Sequence, residues 1–294
     1  MLLLCGATCS GKTELAIALA ERFGGEIVGA DSRQIYRGMP IGTAAPSFRQ
    51  RERVPHHLVA FLDPQERYSA ARFVADAGAA IVAIQARGRR VVVAGGTGFY
   101  LRALAGDVAL SNAYDPVLRE RLVREARVHP PEVLHAWLAA RDSARATAIA
   151  PHDGYRVTRA LEVALTSASI EAGELSPPST LRALGVPFVR IALDVAPDDL
   201  AGRIAARTDR MLADGLVEEA ERIGAGAVAA TAVGYPQALA YLAGYATRDE
   251  LRAHLLRATS RYAKRQRTWF RGEPDTHWLP PERVAKAASS LLGW

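Results

Sequence analysis

Eight consecutive residues near the start of the chain, Gly6-Ala7-Thr8-Cys9-Ser10-Gly11-Lys12-Thr13, fit the pattern G-x(4)-G-K-[ST]. Residues of those types at that spacing hold a phosphate chain. The glycines let backbone N–H groups curl around phosphate oxygens, Lys12 supplies a point charge, and the Thr13 hydroxyl can ligate Mg²⁺. The loop needs a strand before it and a helix after it, because the helix N-terminus adds its dipole to the anion site. Kinases, nucleotide hydrolases and group transferases all use such a cradle, so the motif alone leaves the phosphate compound open. A carboxylate, Asp31, ends the next apolar run. On the same rim it could serve as a general base, or as a metal or helix-cap aspartate. Arg203 and Arg207 are four residues apart and share one helix face. The pair His56-His57 has no HExxH pattern and no cysteine partners, so a structural loop role is expected for it rather than a metal site. Cys5 and Cys9 have no second pair to complete a metal site and read as small buried packing groups.

The elements that must position these residues follow from the apolar pattern. Leu2 to Cys5 reads as a short buried strand and Thr13 to Phe23 as an amphipathic helix. The apolar start lacks a basic leader and meets a glycine loop within a few residues, so it is read as a strand and not as a signal peptide. Glu26 to Ala30 is a second strand, delivering Asp31 at its end. Ser69 to Ala86 is an alanine-rich helix. Arg90 to Ala94 is a β-branched central strand running into Gly95-Gly96-Thr97-Gly98 and a further helix. Strand–helix alternation predicts an α/β fold, a P-loop NTPase-like parallel sheet flanked by helices. Ligands collect at the carboxyl ends of such strands, so the loops at Gly6, Asp31 and Gly95 are expected on one rim.

From about Leu110 to Thr180 the pattern is helical only, with helix starts at Asp115-Pro116, at Pro130-Pro131 and near Asp153, and a loop from Glu171 to Thr180. Phe188 to Leu193 resumes a strand. The expected organisation is an α/β core, residues 1–109 and 181–294, interrupted by an all-helical insertion, residues 110–180. Helices are expected to fill the remainder, the longest from about Asp249 to Phe270. On that helix His254, Arg257, Arg261, Lys264 and Arg265 recur at helical spacing, opposite a stripe of Leu251, Leu255, Ala258, Tyr262 and Trp269. The chain has 294 residues, 49% hydrophobic and 23% charged, the balance of a globular protein. No run of about 18 apolar residues occurs, so no membrane helix is expected. A net charge of +6 shifts the odds toward a polyanionic partner.

The segment Asp31-Ser32-Arg33-Gln34-Ile35-Tyr36-Arg37-Gly38-Met39-Pro40-Ile41-Gly42-Thr43, together with the phosphate loop, resembles the tRNA dimethylallyltransferase family. Further matching segments are Pro55-His56-His57-Leu58, Asp63-Pro64, Tyr68-Ser69-Ala70, Gly95-Gly96-Thr97-Gly98-Phe99-Tyr100 and Arg159-Ala160-Leu161-Glu162-Val163. Val233-Gly234-Tyr235 and Lys264-Arg265-Gln266-Arg267-Thr268-Trp269-Phe270-Arg271 complete the series, which runs in order over nearly the whole chain. The resemblance implies transfer of a prenyl group from dimethylallyl diphosphate to an adenosine of tRNA, with Mg²⁺ as cofactor.

It further implies that Asp31 is the base and that Thr97 lies near the transferred group; a threonine capping the next helix is the alternative. Arg207 is implied to reach the diphosphate, with a solvated basic face as the alternative. Gly6 to Thr13 would hold the diphosphate, with Thr13 on the metal. Asp31, Ser32, Arg33 and Gln34, the insertion residues Arg119, Tyr155, Arg156 and Arg159, and Arg257 and Arg261 of the long helix would contact tRNA. A monomeric, cytoplasmic enzyme without a membrane partner is expected.

The sequence departs from the family in three places. The loop reads Gly-Ala-Thr-Cys for the usual Gly-Pro-Thr-Ala, Ala45 stands where a lysine is usual, and the segments Ser167 to Pro178 and Gly224 to Thr231 look short or divergent. The competing readings are a P-loop kinase, a transferase acting on free adenylate, and a non-catalytic RNA-binding module. The first two share the cradle; the third leaves Lys12 and Asp31 unexplained.

Overall fold

A strand of four apolar residues has two faces to cover, which puts it in the middle of a sheet. In the computed structural model, which describes residues 1–108, 110, 115–167 and 180–294, β1 (Leu2–Cys5) is completely buried. It pairs in parallel with β4 (Arg90–Ala94) on one side and β5 (Val189–Leu193) on the other. Beyond β4 lies β2 (Gly25–Gly29), Ile27 opposite Val92, and beyond that the short β3 (His56–His57). With β6 (Thr276–Leu279) outside β5, the described residues form a sheet of six strands in the order β3-β2-β4-β1-β5-β6, all in parallel.

The chain divides into two compact units, Met1–Val108 with Ser179–Trp294, and Ala109–Pro178. In the first, the sheet is flanked by α1 (Lys12–Phe23), α2 (Pro40–Thr43), α3 (Phe48–Arg53), α4 (Ala70–Ala86) and α5 (Gly98–Ala105). After the second unit follow α10 (Pro197–Ala213), α11 (Leu216–Ile223), α12 (Tyr235–Leu242), α13 (Arg248–Arg271) and α14 (Pro281–Leu292). Leu2, Leu4, Ile27, Val92 and Ile191 of the strands close over Ile17 and Leu19 of α1, where each buried side chain contributes about 1.5–3 kcal/mol. The second unit packs α6 (Pro116–Val128), α7 (Pro131–Arg141), α8 (Ser143–Thr147) and α9 (Gly154–Ser167) around Leu122, Leu138, Val157 and Leu161. Its α6 starts where the sequence signals it: the Asp115 carboxylate accepts the N–H groups of Val117 and Leu118, with Pro116 at the first position.

Because β2, β4 and β1 are consecutive in the sheet and parallel, the loops that follow them leave from one rim. They approach closely enough to exclude a side chain. A Cβ on Gly95 would lie 2.0 Å from the Ala30 carbonyl oxygen, so only glycine lets the β4 loop cross beside the end of β2.

Two expectations need correction. Helices do not fill everything after β5, since Thr276–Leu279 adds the edge strand β6. Four residues, none of them buried, carry too short an alternation to announce a strand. His56 and His57 are not loop residues but the edge strand β3. A ring nitrogen of His57 lies 2.7 Å from the Glu26 carboxylate, which Arg87 also holds at 2.7 Å. Burial alone would raise the Glu26 pKa, yet the hydrogen bonds from Arg87 and His57 outweigh it and hold the carboxyl below its ordinary range. The expected loop at Glu171 to Thr180 and the divergent segment at Ser167 to Pro178 fall almost wholly outside the described residues.

Candidate active site

The phosphate loop turns from β1 into α1 through backbone that L-residues rarely adopt: Gly6, Cys9 and Gly11 all have positive φ. Lys12 folds back along the loop, its Nζ donating to the carbonyls of Gly6 at 2.9 Å and Ala7 at 2.6 Å. Two of the three ammonium protons are thereby fixed, and the third is left for a ligand. Burial lowers the Lys12 pKa to about 8, with Asp31 pulling it up and Arg207 pushing it down. Arg207 donates to the Thr8 hydroxyl at 3.1 Å and Arg203 to the Ser10 carbonyl at 3.4 Å, so the two arginines of α10 face the loop. Arg207 is half-buried and Arg203 exposed. Thr13, half-buried, opens α1 at the mouth of the loop.

Asp31 follows β2, and its Oδ1 accepts the N–H of Arg33 at 2.9 Å. This bond fixes the carboxylate within its own turn while Oδ2 borders Gly96 of the β4 loop, 3.5 Å from where a Cβ there would lie. Burial raises the pKa of Tyr262 on α13 and of Tyr100 on α5; the Asp31 charge adds to it at Tyr262, and adds less than Tyr36 does at Tyr100. The Thr97 hydroxyl accepts the Ser32 N–H at 2.9 Å and donates to the Ser32 hydroxyl at 3.2 Å. Thr97 stands at the N-terminus of α5 but makes no side-chain cap, so the capping alternative does not hold. The Gln34 amide donates to the carbonyls of Thr43 at 3.1 Å and Ala44 at 3.0 Å, which leaves its oxygen as the available acceptor.

That segment is braced from behind. Glu219 of α11 is fully buried, and its two oxygens accept the N–H groups of Ile41 at 3.0 Å and Gly42 at 2.7 Å, while Tyr235 donates to it at 2.7 Å. A carboxylate from another helix thus satisfies the amides that open α2, and α2 in turn holds Gln34. Burial, then the Glu219 contact, drives the Tyr235 pKa upward, so its hydroxyl remains a donor at any working pH.

On α13 the expected stripes are observed. Leu251, Leu255 and Ala258 are buried, Tyr262 and Trp269 half-buried, and His254, Arg257, Arg261, Lys264 and Arg265 all exposed. In the helical unit Arg119 lies 3.1 Å and Arg159 2.8 Å from the buried Glu162. Together with Tyr155, Thr158 and Arg127 they line a cavity of about 290 Å³ between α6 and α9. Tyr155 is exposed, and Arg156 is exposed and paired with Asp153 at 3.3 Å.

Sequence reasoning missed two groups. Gln266 of α13, buried among the site loops, accepts the Thr8 N–H at 2.7 Å and donates to the Gly96 carbonyl at 2.8 Å. Its signal was its place in Lys264 to Arg271, where a polar residue interrupts the basic run on the packed side. Tyr235 lies in the matching segment Val233-Gly234-Tyr235, but its partner Glu219 carried no signal, since one glutamate in an acidic helix gives no sign of being buried.

Comparison with known proteins shows what the whole chain is similar to. The model of the IPP transferase family matches residues 34–273, and that of isopentenyl transferase matches residues 1–63. The tRNA dimethylallyltransferase of Geobacter sulfurreducens is 42% identical over 284 residues, covering 95% of this chain and 91% of that one. That of Anaeromyxobacter dehalogenans is 44% identical over 285 residues, covering 96% and 95%. The structure of the full-length tRNA isopentenylpyrophosphate transferase from Bacillus halodurans superposes with a TM-score of 0.71 at 33% identity, covering 99% of this chain and 95% of that one. A eukaryotic dimethylallyltransferase acting on tRNA shares the fold, with a TM-score of 0.76 at 24% identity, covering 100% of this chain and 76% of that one. On the extent of these matches, the chain belongs to the IPP transferase family.

Proposed function

We propose that the protein transfers the dimethylallyl group of dimethylallyl diphosphate to the exocyclic amine of the adenosine adjacent to the anticodon in tRNA, releasing diphosphate. The observation that carries the reading is the gathering of the phosphate loop, the Asp31 turn and the Thr97 loop on the rim shared by the ends of β1, β2 and β4, where Thr97 binds Ser32 and Gln266 joins Thr8 to Gly96. In this reaction the allylic C–O bond breaks and its electron pair leaves with the diphosphate. The amine lone pair forms the new N–C bond, and the amine proton goes to Asp31. Loop amides, Lys12 and Arg207 offset the charge that grows on the leaving group. Thr97 and Gln34 line the same rim and orient the acceptor. Basic residues grip the RNA: Arg257 and Arg261 on α13, Arg33 beside Asp31, and Arg119, Arg156 and Arg159 on the helical unit, which takes the anticodon arm with the exposed Tyr155 beside them. The adenosine must leave its stack to react, a cost of a few kcal/mol offset by those contacts.

The residues present fit Mg²⁺ as an ion held mainly by its substrate. The donors at the cradle are hard oxygens, the Thr13 hydroxyl first among them, and Mg²⁺ keeps most of its shell for phosphate and water. Bound there, it would neutralise leaving-group charge. The reading takes the enzyme to be a cytoplasmic monomer. Among the described residues no helix is long and apolar enough to cross a membrane.

The test offers labelled dimethylallyl diphosphate and, in parallel, labelled ATP, with tRNA or AMP as acceptor. Label is expected to pass from the prenyl donor to tRNA. Label on AMP would make the protein an adenylate transferase, and phosphoryl transfer from ATP would make it a kinase.

A further inference from the structure

Gln266 is the one side chain among the described residues that is hydrogen-bonded to both the phosphate loop and the β4 loop. Its oxygen takes the Thr8 N–H and its nitrogen gives to the Gly96 carbonyl, so both ends of the carboxamide are committed and its orientation is fixed. The first of these loops holds Lys12, and the second carries Thr97, which binds the Asp31–Ser32 turn. Gly96 is fitted to the contact: a Cβ there would lie 2.4 Å from the Gln266 Nε2 and 3.5 Å from Asp31 Oδ2.

From these contacts we infer that Gln266 is a positioning residue that fixes the spacing between the diphosphate cradle and the loop presenting the base. The inference rests on the prenyl-transfer reading for its chemical consequence, but its structural content is independent of it. An uncharged amide suits the place. A carboxylate could accept from Thr8 but could not donate to Gly96, and it would set a negative charge beside the leaving diphosphate. An apolar residue would strand a half-buried N–H and a buried carbonyl. The Thr8 amide is occupied by Gln266, so it shapes the loop and is not itself a phosphate ligand in this arrangement. Gln266 also sits on α13, the helix whose opposite face carries Arg257, Arg261 and Lys264. Contact of RNA with that face therefore bears on the same rigid helix that holds the cradle to the base loop.

The experiment compares Gln266→Leu and the near-isosteric Gln266→Glu with the wild type, using inorganic diphosphate binding by calorimetry, tRNA binding, thermal unfolding, and single-turnover prenyl transfer at saturating substrates. Both variants are expected to lose at least about fivefold in diphosphate affinity and ten- to a hundredfold in the single-turnover rate. Their tRNA affinity should stay within threefold of wild type. Wild-type diphosphate affinity and rate in either folded variant would overturn the inference. So would an equal loss of tRNA and diphosphate affinity, which marks general damage. If the wild type binds diphosphate but forms no prenylated product, the proposed reaction fails while the binding comparison still decides the role of Gln266.

Discussion

Asp31 is held by its own turn, through the Arg33 N–H, and that leaves one carboxylate oxygen toward the β4 loop. Replacing it with alanine should spare tRNA affinity and lower the chemical step by roughly 10²-fold or more, since general-base assistance is worth about that. A single-turnover rate within threefold of wild type would remove it as the base. Lys12 gives a sharper test of the arrangement. Its ammonium is charged below about pH 8 and neutral above, because burial lowers its pKa. Diphosphate binds the charged form, so affinity should hold at neutral pH and fall as pH rises through that value. Asp31 pulls the lysine upward, so in Asp31→Asn the midpoint should move to lower pH. Binding isotherms of inorganic diphosphate across pH 6 to 10 check this; a midpoint that does not move would mean that the two groups do not face one another.

At the level of elements, α2 is positioned by residues far away in the chain. The buried Glu219 carboxylate holds its first amides and Tyr235 holds the carboxylate. Tyr235→Phe removes one bond to a charged acceptor and should destabilise by about 1.5–3 kcal/mol in denaturant unfolding. It should also lower turnover, because Gln34 hangs on the end of α2. Unchanged stability would show the hydroxyl to be dispensable. On α13, charge reversal at Arg257 and Arg261 should weaken tRNA binding and make its salt dependence shallower, by about 0.7–0.9 in log–log slope for each phosphate that is no longer neutralised. An unaltered slope would place the RNA elsewhere.

These elements also mark where the sequence could be read and where it could not. The strand–loop–helix turn at Gly6 to Thr13, the Asp115 cap and the α13 stripes are local patterns, set by residues within one or two turns of each other, and the structure has them. Edge strands β3 and β6 are too short for an alternation to register. Gln266 and Glu219 act across separations of 258 and 178 residues, which no local pattern encodes.

For the molecule as a whole, one sheet rim gathers the anion cradle, the carboxylate and the threonine from the ends of β1, β2 and β4, and α10 and α13 supply cations and a brace from later in the chain. The core could bind a small diphosphate by itself; the helical unit and the basic face of α13 are surplus to that task and suit a larger polyanion. The excess of six positive charges predicts association with tRNA that falls steeply with salt. The most direct test of the account is mass analysis of nucleosides from tRNA incubated with dimethylallyl diphosphate and either the wild-type protein or Asp31→Ala. Isopentenyl-adenosine is predicted with the wild type, at a rate that collapses in the variant. Unmodified adenosine after incubation with the folded wild-type protein, its donor and unmodified tRNA would contradict it.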